Sequence, residues 1–307
     1  MENIQIVMLV KVILCTFGLI LHPLGLYALR TCKQRNGQVA ILMNLSIAEI
    51  LLFINDLVEA SQNLVEYKDK YSRIMTVKSY RPYKAHHETY VAIYFFITYT
   101  CLLEVIFAVF LLTADRLVAV LSPLKYHIVT EEKSIFQRTI MVCWLISISV
   151  GSLSLSMYTE YTAYIFILTS VCVSTLFFLI SYIIIGVKIT RSRTSLQNDT
   201  TRSSQRNDQL RIRKHHLVPG LIISTFIVFY VKTVIYRITH VNKERIDKKS
   251  YLWTELLRMS PNVGYITDAL IYIFLTERNR KIVMKLLQCK RETPNMSSNV
   301  YIENTMA

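Results

Sequence analysis

Apolar positions in this chain come in long unbroken runs, not in the one-sided stripes of soluble helices. Seven such runs, at 4–29, 39–61, 89–114, 138–158, 162–188, 216–239 and 251–275, are separated by polar segments. Each run reaches the ~20 mostly apolar residues that a helix needs to cross a bilayer. A barrel strand would instead show ~10 residues of alternating polarity. Only helices and closed barrels satisfy their backbone groups in lipid. The pattern therefore predicts an all-α membrane protein, a seven-transmembrane helix bundle filling residues 1–291. After the last run, 277–289 places Ile282, Val283, Leu286 and Leu287 on one face with basic residues elsewhere. That predicts a short amphipathic eighth helix lying on the membrane. Residues 292–307 read as a disordered cytosolic tail.

The connections differ in character. The turn near Glu160 is very short, which makes the fourth and fifth spans neighbours. Residues 62–88 read as a long polar loop, and 189–214 as a mobile, strongly polar loop. Of the 307 residues 52% are hydrophobic, and the formal net charge is +14. Placement of the charge matters more than its sum. With the N-terminus outside, 21 Lys and Arg flank the inner ends of the spans and 11 the outer ends. The positive-inside rule then favours an outer N-terminus and a cytosolic C-terminus. Basic residues beside spans meet anionic lipid headgroups, so membrane lipids, and no nucleic acid, are the expected partners of this charge.

The six cysteines fall within spans or on the inner side, so no extracellular disulfide is expected. Cys289, beside the amphipathic stretch, is a lipidation candidate. The runs hold no zinc-spaced Cys/His cluster, phosphate-binding glycine loop or nucleophile elbow. Neither an enzyme activity nor a metal site is expected.

The third run ends in LLTADRLVAVLSPLKYH, with Asp115 and Arg116 at the membrane boundary and Pro123 and Tyr126 beyond. Charges there are expensive and functional. This pattern resembles the D-R-Y…P-L-x-Y signature of rhodopsin-like G-protein-coupled receptors, with Leu117 in the tyrosine's place. Asn44-Leu45-Ser46-Ile47-Ala48-Glu49 resembles the N-L-A-x-A-D of span 2, with glutamate for aspartate. Trp144, Tyr182 and Phe226 stand where spans 4, 5 and 6 carry those residues. Asp268 to Tyr272 resembles the D-P-x-x-Y form of span 7 without its proline. Residues 229–232 replace the C-W-x-P of span 6, and His22 or a neighbour stands near the asparagine of span 1. The usual kink-forming prolines of spans 6 and 7 are thus missing, as is the span-3 cysteine.

The resemblance implies a plasma-membrane receptor that transmits an extracellular ligand signal to a heterotrimeric G protein, with arrestin and a receptor kinase as further partners. It assigns Asp115, Arg116, Tyr126, Tyr182 and Tyr272 to the G-protein switch, and Phe226 and Tyr230 to transmission. Glu49 and Asp268 would meet in the centre. Two bare acids there repel, so they either bind a cation, sodium in this family, or hold a proton, with Glu104 able to join either. Thr98, Arg237 and Arg258 become ligand-binding candidates, the arginines toward an anionic group or else neutralised by Asp56, Glu59 or Glu255. Two other readings stay open: a transporter or channel using intramembrane charges, and a receptor-like protein that no longer signals.

Overall fold

The computed structural model describes residues 2–31, 37–74, 86–122, 126, 133–153, 155, 160–196, 220–231, 248–275 and 277–287. Regular structure among them is entirely helical. In chain order the helices are α1 (Glu2–Thr31), α2 (Gly37–Ile74), α3 (His86–Leu121), α4 (Lys133–Leu153) and α5 (Glu160–Leu196). Next comes α6 (Gly220–Phe229), passing into a π-helical turn at Ile227–Val231. Helix α7 (Lys248–Leu270) passes into a second π turn at Ile271–Leu275, and α8 (Glu277–Leu287) follows.

Five helical segments are long and apolar enough to cross a membrane: Ile6–Thr31, Gly37–Gln62, Ala92–Leu121, Ile135–Leu153 and Ile165–Lys188. They correspond to the first five predicted runs, and their character is that of a multi-pass membrane protein. The sixth run is described only as the shorter apolar helix Gly220–Phe229, because its remainder lies outside the described residues. Helix α7 is not among the five; Lys248, Lys249, Glu255, Arg258 and Asp268 dilute its apolar character.

Helix ends follow local chemistry. Helix α3 stops at Leu121, ahead of Ser122–Pro123, since the residue before proline is driven out of the helical region. The Lys188 Nζ of α5 donates to the Leu121 carbonyl at 3.1 Å. This puts a cation on the negative end of α3. Two predicted loops are shorter than expected. Helix α2 continues through residues 62–74, QNLVEYKDKYSRI, to Ile74, and α3 already begins at His86. That stretch contains no glycine or proline, so its polarity ends the apolar run without ending the helix. Helix α5 likewise runs on to Leu196. The expected tail at 292–307 lies outside the described residues.

Helix α1 packs on α2 and α7, α2 on α3, and α3 on both α4 and α5; α4 and α5 also touch. Helix α8 lies against α1 and the second π turn, seating Val283 beside Ala28 and Ile273. Polarity is inverted relative to a soluble domain. Met141, Leu145 and Ile183 are 66%, 64% and 65% exposed, whereas Lys11, His22, Glu49, Glu104 and Asp268 are buried. An apolar exterior of this extent marks a surface made for lipid. Buried ionisable groups then require partners inside the bundle.

Candidate functional site

At the C-terminal end of α3, Asp115 and Arg116 are both buried. Arg116 Nη2 lies 3.1 Å from Asp115 Oδ2, forming an ion pair between sequence neighbours. The same nitrogen donates to Gln38 Oε1, from the first turn of α2. Tyr126 donates its hydroxyl to Asp115 Oδ2 at 3.4 Å. Burial, then the Asp115 carboxylate beside it, pushes the Tyr126 phenol up to about 12, so it remains a donor at neutral pH. Tyr182 of α5 lies within electrostatic reach of Arg116, and its ring faces Gly220 at the start of α6. Arg116 is therefore held by its neighbour and by a neutral amide from another helix. Asp115, Arg116, Tyr126 and Tyr182 gather here as the sequence predicts, and Gln38 joins them.

Tyr272 is placed elsewhere. Its buried side chain borders Glu49 and Asp268 in the middle of the bundle. There α1 supplies His22, α2 supplies Glu49, and α7 supplies Asp268; His22 and Glu49 are wholly buried. Glu49 faces Asp268 directly. His22 Nδ1 lies 3.4 Å from Glu49 Oε2, and His22 Nε2 lies 3.1 Å from the Tyr265 carbonyl. Asp268 Oδ1 lies 2.5 Å from Thr225 Oγ1 of α6, which is itself 2.7 Å from the Ile222 carbonyl. Glu49 Oε1, Ser46 Oγ and the Tyr272 hydroxyl have no hydrogen-bond partner, and no cluster of three or more metal-ligating side chains occurs among the described residues. Glu104 does not join this centre. It accepts from Asn44 Nδ2 at 2.6 Å and Ser147 Oγ at 3.2 Å, while Trp144 Nε1 donates to Asn44 Oδ1 at 2.7 Å. That network fastens α2, α3 and α4 together.

A second polar layer lies one to two turns further toward the start of α1. Lys11 Nζ reaches Glu59 Oε2 at 2.6 Å and Asp56 Oδ1 at 3.7 Å. Tyr94 donates to the same two acids, and Asn262 Nδ2 donates to Asp56 Oδ2 at 2.9 Å. Thr98 accepts from Asn55 Nδ2 at 2.9 Å beside this layer. The acids expected to meet Arg237 or Arg258 thus have Lys11 as a partner. Between the two polar layers, the Phe53 ring stands 5.5 Å from His22 and 5.7 Å from Tyr265, pressed against Gly18.

The transmission candidate Phe226 is buried and meets Phe178 edge-on at 5.8 Å. Phe178 adjoins Phe177, which stacks on Phe110 at 4.4 Å, so aromatic contact runs from α6 through α5 to α3. The two π turns fall on the segments where the missing prolines were noted, 227–231 and 271–275. Such turns contain one extra residue and mark functional distortions in helices. The second leaves the Tyr272 carbonyl to accept from Asn279 Nδ2 of α8 at 3.0 Å. Arg237 and Cys289 lie outside the described residues, as do the side chains of Tyr230 and Arg258.

No family model matches the chain, and no curated protein matches it. The functional reading therefore rests on the residues and their geometry.

Proposed function

We propose that this chain is a seven-helix receptor of the rhodopsin-like type, which passes an extracellular ligand signal to a heterotrimeric G protein. It would sit in the plasma membrane with the N-terminus outside. The observation that carries this reading is the buried Asp115–Arg116 pair at the end of α3, with Gln38 as its second tether. A guanidinium restrained at a helix end by one carboxylate and one neutral amide is a charge that repacking can release. The neutral Gln38 contact is the weaker tether, because hydrogen bonds to ionised partners are roughly twice as strong. A moving α5 or α6 has a route to this place through Tyr182, Gly220 and the Phe226–Phe178–Phe177–Phe110 contacts. An agonist would act by binding the released arrangement more tightly than the restrained one.

The transporter reading requires a polar route across the bundle. Phe53 and Tyr265 interpose aromatic surface between the two polar layers, which favours the receptor. The test needs no ligand. Basal nucleotide exchange is measured on a panel of G proteins in membranes with matched surface expression. Gln38→Ala should raise exchange by releasing Arg116, and Arg116→Ala should abolish that rise in the double variant. Equal exchange from wild type and all variants contradicts the proposal.

A further inference from the structure

The central cluster of His22, Glu49 and Asp268 can be solved by counting hydrogens. A backbone carbonyl only accepts. His22 Nε2 faces the Tyr265 carbonyl, so Nε2 carries a hydrogen. Nδ1 then meets Glu49 Oε2 at 3.4 Å, and lone pair would oppose lone pair unless one proton lies between them. Thr225 has a single hydroxyl hydrogen and two oxygen neighbours, the Ile222 carbonyl at 2.7 Å and Asp268 Oδ1 at 2.5 Å. If that hydrogen goes to Ile222, the second contact is a bond only when Asp268 is the donor. One set of positions satisfies every contact: Glu49 donates to His22 Nδ1, and Asp268 donates to Thr225 Oγ1.

That arrangement is also electrically neutral. The alternative, imidazolium against carboxylate, would place two charges in a wholly buried site where Glu49 Oε1 has no donor. Ion pairs that lack further hydrogen bonds do not recover their desolvation cost. The groups facing the site are few. Helix α1 contributes His22, α2 Glu49, α6 Thr225, and α7 Asp268 with the phenols of Tyr265 and Tyr272. From α3 the nearest is Cys101, beside Tyr265, whereas Glu104 is turned toward α4. Among the described residues no lysine or arginine faces the pair.

We propose that His22, Glu49 and Asp268 form a proton-holding site, with both carboxyls protonated and the imidazole neutral, in place of a site for a metal cation. Nδ1 of His22 occupies the face of Glu49 that a cation would need, and two neutral acids offer it no charge. The site couples to conformation. Any arrangement of α6 or α7 that admits water lets the acids ionise, so the closed bundle binds more protons than the opened one. By linkage, falling pH stabilises the closed form and rising pH favours the opened form. This inference concerns the bundle interior and stands apart from G-protein coupling.

The test is infrared spectroscopy of the full chain in lipid nanodiscs at neutral pH in potassium chloride. A carbonyl band of protonated carboxyl groups is expected, shifting to lower frequency in deuterium oxide. Wild type minus Glu49→Gln and wild type minus Asp268→Asn should each isolate one component of that band. Replacing potassium by sodium should leave it unchanged. A missing band, a band retained whole in both variants, or a band suppressed by sodium overturns the proposal. If a variant fails to fold, the deuterium and sodium arms on the wild type decide alone.

Discussion

Replacing Lys11 by methionine leaves Asp56 and Glu59 side by side without the cation that lies between them. Removing one partner of a buried ion pair costs ~3–5 kcal/mol. The two acids are 16% and 14% exposed, so water offsets part of that loss and about 2 kcal/mol is expected. A lowered thermal midpoint of the purified protein measures it, and Lys11→Arg should restore most of it. Asn44→Leu removes a donor from Glu104 and an acceptor from Trp144 in one step. An unpaired buried polar group costs ~1–3 kcal/mol, so the same measurement should show a comparable drop. The Lys11 pairing was within reach of the sequence, because Lys11 and the Asp56/Glu59 pair lie at matching depths in consecutive spans. The Gln38 tether was not. A neutral amide just after a connection carries no periodic or charge signal, and only tertiary packing brings it to Arg116.

At the scale of helices, the absence of proline from the ends of spans 6 and 7 suggested that the usual distortions were gone. The structure instead distorts both helices through π turns at Ile227–Val231 and Ile271–Leu275. A π turn accommodates one extra residue and leaves no residue type behind it, so composition could not reveal it. Its carbonyl at Tyr272 is satisfied by Asn279. Asn279→Ala should therefore speed hydrogen exchange through 277–287 and cost about 1–3 kcal/mol of local stability. Unchanged exchange would show that α8 is anchored by Val283 alone. Close helix approach gives a second expectation. A side chain at Gly151 would strike Thr100 and the Phe96 carbonyl of α3, whereas one at Gly186 would meet nothing within 4 Å. Gly151→Leu should cut the folded yield sharply and Gly186→Leu should not, as read by the monodisperse fraction in detergent. Helix lengths were less legible than helix positions. Apolarity reports where lipid ends, while α2 continues to Ile74 on helix-forming polar residues.

Taken as a whole, the molecule turns its apolar side chains outward and its ionisable ones inward. That inversion was legible in the long apolar runs and in the few charges embedded within them. The sequence also brought Glu49 and Asp268 together correctly, through spacing within two separate spans. It left open what holds them, because the answer depends on which atom of His22 faces which acid. Seven crossings with Arg116 at the cytosolic end remain the account's central claim, and an odd number of crossings separates the two ends of the chain. The most direct test places an epitope tag at each terminus and compares antibody access in intact and permeabilised cells. The N-terminal tag should be accessible on intact cells and the C-terminal tag only after permeabilisation; both tags on the same face would contradict the account.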